Sequence, residues 1–133
     1  MAVDTERGLL VPVIREADRK SISQISVELA QLAAKARNKQ ITADELMGGC
    51  FTVSNHGGLG GTSFAPVVYW PQVAILGIAR STWEPVFRTD TPEKRLILPL
   101  SLSYDHRVID GAEGARFLHW IAQALEQPLT MML

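Results

Sequence analysis

The spacing of hydrophobic residues along the chain predicts three helices. Between residues 21 and 38 they recur every three or four positions, which is typical of the buried stripe of an amphipathic helix. Ser21 and Gln24 stand at the capping-box spacing at the start of this stretch. The same periodicity predicts a second long helix over residues 112–126, and another capping-box pair predicts a short helix over residues 43–47.

Shorter hydrophobic runs predict the strands of a sheet. Residues 51–55 alternate apolar and polar side chains, as expected of a strand that is buried on one face. Further runs predict an opening hairpin over residues 3–14 and strands over residues 67–69, 73–79, 85–87 and 95–104. The pattern therefore predicts an α/β protein in which helices pack on a mixed, largely antiparallel sheet.

Composition narrows the class of protein. The chain has 133 residues, of which 47% are hydrophobic and 20% are charged, which is a normal balance for one globular domain or part of one. The net charge of −1 gives no electrostatic reason to expect nucleic acid or an anionic membrane as a partner. No apolar run approaches the roughly 20 residues of a membrane span, and the N-terminus has no secretory signal pattern. We expect a protein that is not secreted.

Cys50 is the only cysteine, so an internal disulfide is not possible. It precedes the strand predicted over residues 51–55, where we expect it to be a small buried hydrophobic residue. The three histidines lack the spacing of metal ligands and the cysteine has no partner, so the sequence predicts no metal site.

Two of the three histidines give little indication of chemistry. His119 lies within the second long helix, where we expect a partly exposed residue without a catalytic role. His56 opens a glycine-rich loop over residues 56–61. This loop matches neither the phosphate-binding P-loop nor the dinucleotide-binding fingerprint, so we interpret it as a tight turn and His56 as an ordinary loop residue.

His106 lies where a long strand is predicted to end and a helix to begin. Such a position holds a side chain rigidly at the edge of a core, and the ordinary histidine pKa near 6.5 allows neutral imidazole to accept a proton near pH 7. We expect the Asp110 carboxylate to cap the helix, to pair with Arg107 and so to stiffen the turn. From these residues alone, a purely structural histidine is an equally good interpretation.

Ser54, His106 and Asp110 also permit a serine hydrolase. Ser54, however, follows Thr52 and Val53 and does not occupy a Gly-x-Ser-x-Gly elbow. The hydrolase is therefore the weaker hypothesis.

Four segments, in order, resemble the E2 acyltransferases of 2-oxo acid dehydrogenase complexes. The most specific is Asp-His-Arg-Val-Ile-Asp-Gly over residues 105–111, similar to the family signature Asp-His-Arg-x-x-Asp-Gly. The other three segments cover residues 3–14, 51–55 and 71–77. Two further segments, residues 60–64 and 98–103, are most similar to the dihydrolipoamide acetyltransferases of pyruvate dehydrogenase. The resemblance spans residues 1–133 and corresponds to the C-terminal part of the catalytic domain, with no lipoyl or peripheral-subunit-binding domain.

This resemblance implies a chloramphenicol-acetyltransferase-like two-layer sandwich and a trimer whose active sites lie between subunits. His106 matches the family's catalytic base, which deprotonates the attacking thiol. Ser54 matches the serine that donates a hydrogen bond to the oxyanion, and it would come from the facing subunit. Asp110 matches the second acid of the signature, expected to hold the turn together with Arg107, and Gly111 is expected to allow a tight backbone turn.

The resemblance also implies substrates and partners. Coenzyme A is the expected thiol substrate, and the lipoyl group is expected on a separate domain, with no metal. We expect self-association as a trimer or larger core. A chain that forms only half of the fold leaves apolar faces exposed, and these faces favour association. The apolar tail over residues 129–133 favours it too. The E1 and E3 components would bind through domains outside this chain, in a bacterial cytoplasm or a mitochondrial matrix. The alternative is a catalytically inactive fragment that serves as a structural or assembly module of the core.

Overall fold

The computed structural model describes residues 1–6, 8–87 and 90–129, and the chain divides into two compact units after Val53. The first unit is built on a hairpin and one long helix. Strand β1 (Val3–Thr5) pairs antiparallel with β2 (Gly8–Leu10), and helix α1 (Ile22–Arg37) packs against β1. The predicted opening hairpin and first long helix are therefore confirmed. Four apolar residues form the buried core of this unit: Val3, Val11, Leu32 and Ala36.

The capping box predicted for α1 is present. The Ser21 hydroxyl accepts a hydrogen bond from the Gln24 N–H, and the Gln24 side chain accepts one from the Ser21 N–H at 2.8 Å. Both hydrogen bonds join residues that are only three positions apart. The start of α1 therefore depends on local sequence, which is why it could be predicted.

Two elements of the first unit are shorter than predicted. Strand β2 ends at Leu10 instead of continuing to residue 14, because Pro12 has no N–H to donate to a ladder. Beyond it, the Val13 N–H donates to the Glu45 carbonyl at 2.8 Å. The helix predicted over residues 43–47 is a single 3₁₀ turn, Asp44–Leu46.

The second unit contains the main sheet. Strands β3 (Thr52–Asn55), β4 (Ala74–Ile78) and β7 (Leu100–Tyr104) are hydrogen-bonded in the order β3-β4-β7, and the division between the units falls within β3. β4 and β7 are antiparallel, with Ala74 opposite Tyr104 and Ile78 opposite Leu100. The central strand is buried over most of its length, which fits its continuous apolar sequence.

Helix α2 (Gly111–Glu126) packs against β7 and begins after Asp110, as the sequence predicted. Side chains of β7 alternate between the two faces of the sheet. Tyr104 contacts α2 at Gly114, whereas the Ser101 hydroxyl, on the opposite face, donates to the Phe64 carbonyl at 2.7 Å. β7 is thereby held on both faces of the sheet, near its start by Ser101 and at its end by Tyr104.

The strand predicted over residues 95–104 is divided into two. β5 (Thr82–Phe87) and β6 (Pro92–Ile97) form a separate antiparallel pair, and β7 begins only at Leu100. Pro99 lacks an N–H and interrupts the ladder, so the two halves pair with different strands. The strand predicted over residues 67–69 was also wrong, since this segment lies between two prolines and Val67 is 87% exposed.

Cys50 is exposed, so the prediction of a buried residue was wrong. It lies in a bend before β3 begins, and the first buried side chain of the strand is Thr52, at 1% exposure. Of the apolar tail predicted over residues 129–133, residues 130–133 lie outside the described part of the chain.

Candidate active site

His106 lies in the turn that connects β7 to α2 and is exposed. Its imidazole contacts the ring of Tyr104, with ring centroids 5.7 Å apart and the planes inclined by 39°. Its Nε2 atom lies 3.8 Å from the point that a Cβ on Gly111 would occupy. The imidazole is therefore bordered by the end of β7 on one side and the first turn of α2 on the other.

Asp105 anchors the turn that carries His106. Its backbone N–H donates to the Val73 carbonyl at 2.8 Å, and its carbonyl accepts the N–H groups of Val108 and Ile109, both at 3.0 Å. Its carboxylate accepts the backbone N–H of Arg107 and is bound at both oxygens by the Arg107 guanidinium, at 2.6 to 3.1 Å. These side-chain bonds, followed by the backbone N–H, lower the pKa of Asp105 from 3.8 to about 2.

The predicted pairing of Asp110 with Arg107 was wrong, because Arg107 binds the nearer carboxylate of Asp105. Asp110 acts instead as the N-cap of α2: its carboxylate accepts the Glu113 N–H at 2.8 Å, and the Glu113 carboxylate accepts the Asp110 N–H at 3.3 Å. The Glu113 N–H is the main cause of a lowered pKa for Asp110. The Ala112 N–H and the charges of Arg116 and His106 also lower it.

Gly111 is the first residue of α2 and does not have a positive φ. The tight-turn role expected for Gly111 therefore finds no support. A residue with ordinary helical backbone angles does not need to be glycine unless a side chain there would be crowded by its neighbours. A Cβ here would meet His106 Nε2 at 3.8 Å and Tyr104 Oη at 3.9 Å, which are ordinary contact distances.

Ser54 is buried, at 6% exposure, on β3. Strand β4 separates β3 from β7, so the two outer strands lie about 10 Å apart at the usual spacing. That separation exceeds hydrogen-bonding distance, and one copy of the chain does not bring Ser54 beside the end of β7. A serine hydrolase assembled within a single chain needs a serine and histidine in direct contact, and the sheet order does not support it.

The other two histidines lie elsewhere. His56 stacks on Phe64, with centroids 3.9 Å apart and planes inclined by 11°. Its N–H donates to the carbonyl of Ile78, at the end of β4 opposite to the one that pairs with Tyr104. His119 is exposed on α2.

Tyr104 is the residue of this region that the sequence did not single out. An aromatic residue at the end of a strand is ordinarily assigned to the core. Two features of the sequence could have indicated a role for Tyr104. It lies two residues before His106, and the helix that follows contains a glycine, Gly114.

Among the described residues, no three or more His, Cys, Asp or Glu side chains form a group that could hold a metal ion. Within that part of the chain, no helix has the length and apolar character needed to cross a membrane.

Comparison with known proteins identifies related enzymes. The model of the family described as 2-oxoacid dehydrogenases acyltransferase (catalytic domain) matches residues 1–133. The dihydrolipoyllysine-residue acetyltransferase component of the pyruvate dehydrogenase complex of Pseudomonas aeruginosa is 54% identical over 132 residues, covering 99% of this chain and 24% of that protein.

Two solved structures are similar over nearly the whole chain. One is the Azotobacter vinelandii dihydrolipoamide acetyltransferase, with a TM-score of 0.96 and 50% identity over 99% of this chain and 54% of that one. The other is the cubic core of a pyruvate dehydrogenase multienzyme complex, with a TM-score of 0.96, 51% identity and the same coverage. These likenesses confirm the predicted fold class. The chain spans about a quarter of the Pseudomonas protein and about half of each solved chain.

We predict that Asp105→Asn destabilises the protein by an amount that depends on pH. Because the folded-state pKa of Asp105 is about 2, below the ordinary 3.8, its contribution is fully present above about pH 4 and is lost as the pH falls through 2. The difference in unfolding free energy between the native sequence and the variant should shrink on acidification, as measured by urea denaturation from about pH 7 to about pH 2. Asp18→Asn, outside the turn, is the control. A difference that is independent of pH would contradict the assignment.

Proposed function

Because the chain belongs to the acyltransferase catalytic-domain family of the 2-oxoacid dehydrogenases, we propose that it transfers an acyl group, acetyl in the first place, between dihydrolipoamide and coenzyme A. The chain would supply the C-terminal part of the catalytic domain. His106 would act as the general base and Ser54 as the hydrogen-bond donor to the oxyanion.

The observation that carries this assignment is a shared spacing. The work on the Azotobacter vinelandii enzyme concerns the role of a serine, a histidine and an asparagine in its catalytic mechanism, and there the serine precedes the histidine by 52 positions. In this chain Ser54 precedes His106 by 52 positions. The asparagine follows that histidine by four positions, and Asp110 follows His106 by four. The agreement supports the same three positions as the centre of the reaction here.

The exposed position of His106 is suited to a general base that removes the proton of a thiol. A free thiol has a pKa near 8.5, so only a minor fraction is the reactive thiolate at neutral pH. An exposed imidazole on a rigid turn is accessible to an incoming thiol and can remove its proton as the sulfur attacks the thioester carbonyl. The thiol proton passes to the imidazole, and the carbonyl oxygen becomes an oxyanion in the tetrahedral intermediate. When the intermediate collapses, the carbonyl re-forms, the original carbon–sulfur bond breaks and the leaving thiolate takes the proton back from the imidazolium.

Ser54 is suited to stabilising that oxyanion from a second copy of the chain. Its hydroxyl lies on a buried strand, where a hydrogen bond to developing negative charge is stronger than in water. Since the sheet order keeps β3 about 10 Å from β7 within one copy, a serine beside His106 would have to come from a neighbouring molecule. We therefore propose a site formed between copies.

Asp110 is proposed to act by capping α2 and not by exchanging protons. Asparagine and aspartate are both strong N-cap residues, so a helix cap is what Asp110 and the asparagine of the Azotobacter enzyme can have in common. The cap fixes the start of α2 directly after the turn that carries His106.

The second candidate function is an assembly module without activity. Large apolar side chains are exposed on several elements of the second unit, with Phe87 at 69%, Trp83 at 62% and Trp120 at 61%. Surfaces of this kind favour association with another copy or another chain. The proposed partners are a lipoyl domain, coenzyme A, further copies of the chain and the E1 and E3 components. The lipoyl group would be carried on a separate domain. The proposed compartment is a bacterial cytoplasm or a mitochondrial matrix.

We predict that His106→Ala lowers acetyl transfer from acetyl-coenzyme A to dihydrolipoamide by on the order of 10²–10⁴, because the variant loses the general base. The same folded chain carrying His119→Ala should retain the activity of the native sequence, since His119 lies on α2 outside the turn. Transfer that survives His106→Ala would refute the role of the base. A folded native chain that shows no transfer would favour the assembly module.

We also predict different results for two substitutions of Asp110. Asp110→Asn should keep both the helix cap and most of the transfer rate, whereas Asp110→Ala should lower both the unfolding free energy and the rate, because alanine cannot accept the Glu113 N–H. Unfolding free energies and initial rates measured on the same preparations test this. A rate that collapses in Asp110→Asn while its stability is unchanged would show that the charge itself is needed.

A further inference from the structure

We propose that Tyr104 is a positioning residue that fixes the orientation of the His106 imidazole through the contact between the two rings. This inference rests on the proposed function, in which His106 is the base.

The Tyr104 ring is seated directly on the backbone of α2. A Cβ at Gly114 would come within 2.7 Å of the ring atom Cε1, which is closer than real Cβ atoms approach, and within 3.0 Å of Cζ, which is a tight contact. Gly114 is itself buried, in the first turns of the helix. Glycine in a helix interior is less favourable than alanine, and the close approach of the tyrosine ring gives a physical reason for its presence at position 114.

The backbone beneath the ring is held as well. Tyr104 is the last residue of β7 and pairs with Ala74, and the next N–H, of Asp105, continues the ladder to the Val73 carbonyl. A side chain whose backbone is fixed by a strand and whose ring is fixed by a helix has little rotational freedom. Tyr104 is therefore a rigid surface.

His106 lies against this surface. The separation of 5.7 Å between ring centroids falls within the range of about 4.5–7 Å at which aromatic rings attract each other. Tyr104 Oη and His106 Nε2 also lie 3.9 and 3.8 Å from the same point beside Gly111. An exposed histidine without such a neighbour would sample several rotamers, whereas here the tyrosine ring and the first turn of α2 border the imidazole.

Orientation matters because a general base acts only within hydrogen-bonding distance of the proton that it removes. Displacements of about 1 Å in a catalytic group can cost on the order of 10² in rate. A ring that holds the imidazole therefore contributes to turnover without touching the substrate.

The first test measures orientation and does not require activity. In the native 133-residue chain, the ring current of Tyr104 should shift the imidazole proton resonances of His106, which are assigned by their absence in His106→Ala. Tyr104→Leu should remove this shift and sharpen the His106 signals through faster motion, whereas Tyr104→Phe should keep the shift. Gly114→Ala, which displaces the tyrosine ring without altering it, should resemble Tyr104→Leu. His119→Ala, on α2 outside the turn, is the control and should leave the His106 resonances unchanged.

The second test measures catalysis in the same variants. Tyr104→Leu should lower kcat for acetyl transfer by on the order of 10–10² with little change in KM for acetyl-coenzyme A, because binding does not depend on the orientation of the base. Tyr104→Phe should recover the native kcat, since the ring and not the hydroxyl holds His106.

The outcomes separate this inference from the function on which it rests. His106 resonances that are identical in the native chain and in Tyr104→Leu would overturn the positioning role, whatever the activity. A Tyr104→Phe chain that is as impaired in kcat as Tyr104→Leu would overturn it too, by assigning the role to the hydroxyl. If His106→Ala abolishes transfer but Tyr104→Leu does not, the inference fails and the proposed function stands. If His106→Ala has no effect on transfer, the proposed function itself fails.

Discussion

The contact between the Tyr104 ring and the bare backbone of α2 at Gly114 determines how the sheet meets the helix that follows it. The six residues 105–110 that join them have a fixed span to cover once this contact is made. Asp105 holds one end of the connection to β4 by its backbone and to Arg107 by its carboxylate, and Asp110 holds the other end as the helix cap. The position of His106 follows from these constraints, because it lies in a short turn fixed at both ends.

The sheet order imposes a second constraint on function. β4 lies between β3, which carries Ser54, and β7, whose end leads into the turn that carries His106, so these two strands are not neighbours in the sheet. In the proposed function, the buried Ser54 hydroxyl and the exposed His106 imidazole of one copy each form half of a site that another copy completes. The exposed aromatic residues of the second unit fit a chain that covers its apolar surface by association. In this proposal, catalysis therefore requires assembly, because each site needs residues from two copies of the chain.

Sequence alone predicted the elements whose causes are local. The capping boxes at Ser21 and Asp110 place both helix starts, because each needs residues only three positions apart. The strand predictions failed at Pro12 and Pro99, where the apolar pattern continues but the backbone has no N–H to donate. The expected pairing of Asp110 with Arg107 was wrong because the Arg107 guanidinium binds the carboxylate of Asp105, which is only two residues away. The role of Tyr104 depends on a tertiary contact, which spacing along the chain does not reveal.

The most direct test of the account is complementation between two inactive variants. Chains carrying His106→Ala and chains carrying Ser54→Ala should each lose acetyl transfer, and unfolding and refolding them together should restore it. If His106 of one copy acts with Ser54 of the next around a closed ring, random mixing rebuilds about a quarter of the sites. Mixtures with about that fraction of native activity are the predicted result. A mixture no more active than its components, while the native chain treated in the same way is active, would contradict a site formed between copies.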